Sequence, residues 1–436
     1  MLAISLYNLV NTFWVARLGY QAVAAVTVVM PFFIFCIAIG VGTGVGVNAL
    51  ASRRFGEKNA EGANQVAGQT VFLSILLGII FLLVTNLFPR QILRLAGATA
   101  DVMDLGEDYL RVFGLGMPLF FFTIMTRNVF QASGDAIRPM IFSLTAQVIN
   151  AVLDPLFIFG LAFFPRMGVG GAALGTVIAN AANAGLAVWY VMSSRSAYRI
   201  RFHHTLPHPA NILGIYRVGL PSAMIEMTES IIFALFNHVV AGFGSVALAA
   251  VGIAGRISDL AFMPVIGTAH GLLPIVGFSL GAKLWSRLWG AVRQALVGLV
   301  IFMAIATALL EVFTRPLVTI FTRDPELVAI TVPGMRIFLS TLTLVGPAVV
   351  FITTFQGLSK AKEAMLLSLA RQCLVFVPAV FILPRFLGIY GVWLSLPISD
   401  IAAVTISGLW ILHEYRLQKK DPAWAVPQAG SSHSLS

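Results

Sequence analysis

The feature that most constrains this chain is a succession of apolar runs, each long enough to cross a bilayer and broken only by short stretches of Gly, Pro, Arg and Lys. Twelve segments stand out, at 1–17, 20–52, 60–88, 104–131, 136–161, 169–194, 211–240, 246–279, 287–313, 327–356, 361–383 and 389–414. About 20 apolar residues span the hydrocarbon core at roughly 1.5 Å per residue. Lipid offers the backbone no hydrogen-bond partner, and the alternation of a barrel strand is missing, so the segments are expected to be helices. Charged residues are 11% of the chain, against about a quarter in a soluble domain. The expected fold is an all-α membrane protein with twelve transmembrane helices, and its constant partner is the lipid bilayer.

The net charge of +10 raises nucleic acid as a partner, but the placement of the cations argues otherwise. Sixteen Lys and Arg, among them Arg53, Arg54, Lys58, Arg195, Lys283, Lys360 and Lys419, fall in loops of one face, against seven on the other. The positive-inside rule puts the richer face and the C-terminus in the cytoplasm. The expected location is a plasma membrane, the inner membrane if the source is bacterial. Cys36 and Cys373 lie in apolar stretches and read as small buried hydrophobes. Residues 416–436 read as a disordered cytoplasmic tail.

The chain resembles itself at an offset of 225 residues. Gly42, Thr43 and Gly46 fall on Gly267, Thr268 and Gly271; Gly56 and Lys58 on Gly281 and Lys283; Gln131 on Gln356; Gln147 on Gln372. Apolar composition produces scattered Leu and Ala matches, not Gly, Lys and Gln at one spacing. Each half holds an even number of helices, so the repeat is expected to be parallel. The halves are placed at 1–200 and 201–415, joined through the basic link Arg195–Arg217. Met1 aligns with Glu226, inside the seventh segment, so the first helix looks truncated and the native start is expected upstream.

Several stretches together carry a family likeness: SLYNLVNTFWVARLG from Ser5, NALASRRFGEKN from Asn48, VFQASGDAIRPM from Val129, NAVLDPLFIFG from Asn150, GVGGAALGTVIA from Gly168, GLPSAMIE from Gly219 and GTAHGLLPIVGFSLGA from Gly267. From residue 1 to about 415 the chain resembles the multidrug and toxic compound extrusion (MATE) family of exporters. That resemblance implies two six-helix bundles around a cleft that opens alternately to each side. It further implies sodium or proton coupling and amphipathic, often cationic small-molecule cargo.

Ionisable residues inside spans default to function. Asp154 follows Asn150 by one helical turn, so both share a face. Counted from the outer ends, Asn11, Asp154 and Thr176 lie at similar depth. Oxygens at one level suit a sodium ion, and Asp154 could equally hold a proton. The alternative is that Asn150 and Asp154 merely kink the helix before Pro155. Family members with a coupling site in this half match Asp154, Asn150 and Thr176, and usually carry a carboxylate where this chain has Asn11. The second half offers Glu229, Glu226 and Asp259 as alternative coupling or substrate residues, with Asp400 also within a span. Glu226 could instead be a residue near the start of its helix. His238 reads as a packing histidine, Arg256 as a partner of Asp259, and Gly40, Gly42, Gly44 and Gly46 as a helix-packing stripe.

No nucleophile triad, metal cluster or phosphate loop appears, and His203-His204 is too weak for a metal site. An intramembrane enzyme is therefore disfavoured, and no cofactor is expected beyond the coupling ion. A channel or receptor fits the duplicated halves less well than alternating access. A lipid-linked precursor flippase of related architecture would need a strongly basic cleft, and the spans show few cations. The chain is expected to act as a monomer.

Overall fold

The computed structural model describes residues 14–15, 17–161 and 164–419. Asn11, most of the first segment and the tail from 420 lie outside the described residues. Sixteen α-helices follow in order: α1 Tyr20–Gly56, α2 Ala60–Leu87, α3 Pro89–Leu95, α4 Ala100–Leu115, α5 Met117–Ala132, α6 Ile137–Phe159, α7 Val169–Met192, α8 Pro209–Ala241, α9 Ser245–Gly281, α10 Trp285–Val312, α11 Thr314–Phe321, α12 Pro325–Leu339, α13 Leu342–Gly357, α14 Ala361–Leu369, α15 Val377–Leu387 and α16 Ile389–Gln418. A π-helix, Ala370–Phe376, joins α14 to α15, and a 3-10 turn, Phe202–Thr205, lies between α7 and α8. No strand occurs among the described residues.

Among the described residues nine helical runs are long and apolar enough to cross a membrane, with α14, the π-helix and α15 forming one of them. The bent pairs α4–α5 (57°) and α12–α13 (45°) bring the number to eleven, matching segments two to twelve of the sequence reading. The sequence reading missed the two bends and the short helices α3 and α11. At the first bend Gly116 is followed within two residues by Pro118, whose ring and missing N–H cannot continue the preceding helix.

Lipid inverts the usual burial pattern. On α2, Leu76, Ile79, Ile80 and Leu83 are exposed, whereas Gln69, Thr70, Ser74 and Thr85 are buried. Hydroxyls inside the spans return to their own helix: Thr43 Oγ1 donates to the Ile39 carbonyl at 2.8 Å and Thr268 Oγ1 to that of Pro264 at 2.9 Å. Those two bonds lie 225 residues apart, and the geometry repeats with them. Positive φ recurs at Gly19 and Gly244, at Lys58 and Lys283, and at Gly134 and Ser359. Helix starts at Ala60 and Trp285, Pro89 and Thr314, Ala100 and Pro325, and Met117 and Leu342 keep the same spacing. The duplication thus extends to backbone conformation, in the same chain direction.

The register slips twice. Gly171 packs on the Phe157 carbonyl and Gly391 on that of Leu383. These carbonyls stand 226 residues apart and the glycines 220. The π-helix accounts for the added residue, because such a turn inserts one residue into a helix. A shorter connection between α15 and α16 than between α6 and α7 accounts for the change to 220. Asp400 therefore occupies the repeat position of Asn180, and Val380 that of Asp154.

Two compact units divide the chain. One comprises Met1–Arg54 and Asn59–Met227, the other Phe55–Lys58 and Thr228–Ser436. In the first unit a β-carbon at Gly42 would meet Ala223, and one at Gly46 the Ile215 carbonyl. The glycine stripe is thus a helix-packing surface, where α1 lies against the first part of α8. The link after α7 is fastened to α2. Gln69 Nε2 donates to the carbonyls of His204 (2.9 Å) and Leu206 (2.8 Å), and its Oε1 accepts from the His208 N–H at 2.9 Å.

Candidate functional site

In the first unit α6 and α7 lie side by side and bring three of the expected residues together. Asp154 is fully buried and Asn150, one turn earlier, nearly so. Asn150 Nδ2 donates to Thr176 Oγ1 at 3.4 Å, and that hydroxyl donates to the Ala172 carbonyl at 3.1 Å. Space for the carboxylate comes from Gly175, where an added β-carbon would lie 2.5 Å from Asp154 Oδ1 and 3.3 Å from Asn150 Nδ2. Gly175 is thus a site residue that the sequence reading passed over. Its only signal is a glycine beside Thr176, which packing explains equally well. Asn11, the fourth expected member, lies outside the described residues.

A cavity of about 240 Å³ adjoins this cluster. Asn150, Thr176, Asn180, Asn183, Gln147 and Arg127 supply its polar wall, and Phe33, Phe113 and Phe120 its aromatic one. Phe33 and Phe113 meet with ring centroids 4.0 Å apart and planes tilted by 38°. Asn150 Oδ1, Gln147 Oε1 and Arg127 Nε have no hydrogen-bond partner among the described residues. Arg127 also feels the charge of Glu226. Glu226 stands midway along α8 and is exposed, so it is not a residue of the helix start.

The second unit is built differently. Arg371, on the π-helix, donates through Nη2 to Asp400 Oδ1 of α16 at 3.0 Å, and Thr341 Oγ1 donates to Asp400 Oδ2 at 3.3 Å. Asp400 is buried and Arg371 about a quarter exposed. Glu229 stands on α8 of the same unit. The sequence reading missed Arg371, an arginine deep in an apolar span, and so undercounted the intramembrane cations. Asp259 does not join this group by any contact within bonding distance. Arg256 and Asp259 are both exposed and form no ion pair, which corrects the pairing expected from their spacing. His238 is exposed rather than packed, and Cys373 is exposed while Cys36 is buried.

Glu61, His203 and His204 gather at the link. His204 Nδ1 accepts the Arg201 N–H at 3.0 Å, so a neutral ring carries its proton on Nε2, 2.7 Å from Glu61 Oε1. The nitrogen that would face a metal is thereby occupied as a donor, and the group serves as a staple between link and α2.

Eleven candidate spans among the described residues, an internal duplication and polar clusters buried in the spans define a multi-pass membrane transporter. The MatE family profile matches residues 1–156 and 221–382, and the chain belongs to that family. The multidrug export protein MepA of Staphylococcus haemolyticus is 25% identical over 412 residues, covering 94% of this chain and 90% of that protein. The probable multidrug resistance protein YoeA of Bacillus subtilis is 27% identical over 424 residues, covering 94% and 89%. Among solved structures, a multidrug-resistance MATE transporter of the MOP superfamily in an outward-facing conformation superposes with a TM-score of 0.89 at 27% identity, covering 97% of this chain and 94% of that one. A MOP-superfamily transporter from Pyrococcus furiosus superposes with a TM-score of 0.87 at 26% identity, covering 97% and 94%.

Proposed function

We propose that this transporter exports amphipathic, often cationic small molecules by cation-coupled antiport, with Asp154 as its principal coupling carboxylate. The observation that carries this reading is the burial of Asp154 among Asn150, Gly175 and Thr176, beside a cavity with both aromatic and amide walls. Holding a carboxylate away from water is costly, and a proton or a sodium ion taken up beside it would offset that cost. The carboxylate with the Asn150 and Thr176 oxygens makes a hard-ligand set suited to sodium. Release of that ion and entry of cargo then alternate. Relatives named for multidrug export and multidrug resistance support a small-molecule cargo. The reading places the protein in the plasma membrane as a monomer, with the C-terminus cytoplasmic by its flanking Lys and Arg.

The test is efflux of a fluorescent cationic dye from proteoliposomes under separate sodium and proton gradients. Wild-type protein should respond to at least one gradient, and Asp154→Asn to neither. If Asp154→Asn keeps the wild-type rate while Glu229→Gln loses it, coupling belongs to the second unit. The flippase alternative requires a basic cleft. Arg371 is paired with Asp400, so it supplies no uncompensated positive charge.

A further inference from the structure

The cavity of the first unit has one charged residue in its wall, and the fold fixes where it stands. α5 presents Phe120, Thr123, Ile124 and Arg127 to the cavity, the i, i+3, i+4 and i+7 positions of one helical face. α6 repeats that spacing from Ser143 to Asn150, and α7 from Thr176 to Asn183. The three helices alternate in direction. Phe130 of α5 meets Phe142 of α6 (ring centroids 6.0 Å apart) and Tyr190 of α7 (5.5 Å) at one end, and Gly116 packs on Val177 at the other. Arg127 therefore lies with Ser143 and Asn183 at one end of the cavity, and Phe120 with Asn150 and Thr176 at the other. Asp154 stands a further turn beyond Asn150, about 16 Å from the level of Ser143 at roughly 1.5 Å per residue, so it is not the partner of Arg127. No carboxylate lines the cavity among the described residues, and Glu226, whose charge Arg127 feels, is not part of the wall. Arg127 forms no ion pair among the described residues, and its Nε has no hydrogen-bond partner there.

We infer that Arg127 is a specificity-determining residue: its guanidinium receives the carboxylate of an aromatic cargo whose ring lies against Phe33, Phe113 and Phe120. A guanidinium stays protonated in a protein, and a cation within a span calls for an opposite charge or a polar cavity. Its planar fork matches the two oxygens of a carboxylate, and the three phenyl rings offer flat apolar surface to an aromatic group. The cavity, about 240 Å³, is smaller than the roughly 300–1,000 Å³ of a drug-sized pocket, so it takes the acidic end of a molecule and not the whole. A pyrophosphate head would call for several cations, and the wall supplies one. The inference rests on the exporter reading above and names the chemistry of one end of its cargo: a zwitterionic amphiphile is held better than a purely cationic one.

A rhodamine with a free carboxyphenyl group and its methyl ester share one fluorophore and differ by a single negative charge, which makes them a matched pair of probes. Fluorescence anisotropy gives the affinity of the purified full-length protein for each, and the ratio of the two is the readout. Wild type should favour the free acid. Arg127→Gln should erase that preference, lowering the ratio by about tenfold, the effect of one hydrogen bond between charged groups. Arg127→Lys, which keeps the charge without the fork, should give a ratio between the two. In wild type, benzoate should displace the free acid at a lower concentration than its neutral isostere benzamide does, a comparison that holds even where Arg127→Gln fails to fold. Equal affinity of wild type for acid and ester, a ratio unchanged in Arg127→Gln, or benzoate no better than benzamide overturns the inference. The exporter reading stands in each of those cases if wild-type proteoliposomes drive the ester out under a sodium or proton gradient. Wild-type protein that binds neither dye overturns the inference, and failure to drive either one out under any gradient overturns the exporter reading.

Discussion

The two units put an acid into a similar helix pair but give it different neighbours. On α6, Asp154 has Asn150 beside it and Gly175 and Thr176 across from it. On α16, Asp400 is held by Arg371. The acid has also changed helix, since Val380 stands where Asp154 would recur and is likewise fully buried. A carboxylate paired with a guanidinium cannot take up a mobile cation without breaking a pair in low dielectric. Duplication therefore preserved the backbone while the buried acids came to stand on different helices among different neighbours.

The comparison breaks most sharply at Asp154. Asp154→Asn is expected to end gradient-driven efflux while changing thermal stability by less than about 1 kcal/mol, because the amide matches the acid's volume and needs no counter-charge. Efflux under imposed gradients, alongside a melting curve in detergent, checks both halves of that statement. Arg371→Met should show the reverse balance. Stranding the Asp400 charge costs about 3–5 kcal/mol, read as a lowered melting temperature, and Asp400→Asn on the same background should recover most of it. If Arg371→Met melts like wild type, the pair is not the fixed one described.

Smaller effects sharpen the picture. Gly175→Ala pushes a methyl group toward Asp154 Oδ1, for which a cost of about 1–3 kcal/mol and a loss of coupling are expected. Its repeat counterpart Ser395, buried with its hydroxyl on the Val392 carbonyl, should accept alanine with transport unchanged. Equal loss of transport in the two variants would show that Gly175 serves packing alone. Thr341→Ala removes one hydrogen bond from Asp400 while Arg371 remains, and should lower stability by about 0.5–1.5 kcal/mol. A larger drop would mean that the hydroxyl, not the guanidinium, dominates the second cluster.

Much of this was legible in the chain itself. Lipid forces each spanning backbone to satisfy its own hydrogen bonds, so apolar runs mark helices directly, and the segments from 20–52 onward each return as a helix or a bent pair of helices. The 225-residue spacing of Gly, Lys and Gln showed the duplication because such residues mark turns and caps, which composition does not scatter at one offset. Asn150, Asp154 and Thr176 could be grouped because two lie one helical turn apart and the third at a matching depth. Three-dimensional packing alone decided the rest. Gly175 matters only because α7 presses its missing side chain against Asp154. Arg371 pairs with Asp400 across 29 positions of sequence, a distance at which spacing carries no information. The π-turn shifts the repeat by one residue without any local signature in Ala370–Phe376, because a helix widens in response to what it packs against. Burial makes an ionisable residue conspicuous in a sequence, but its role depends on the charge that faces it, and that partner is chosen by the fold.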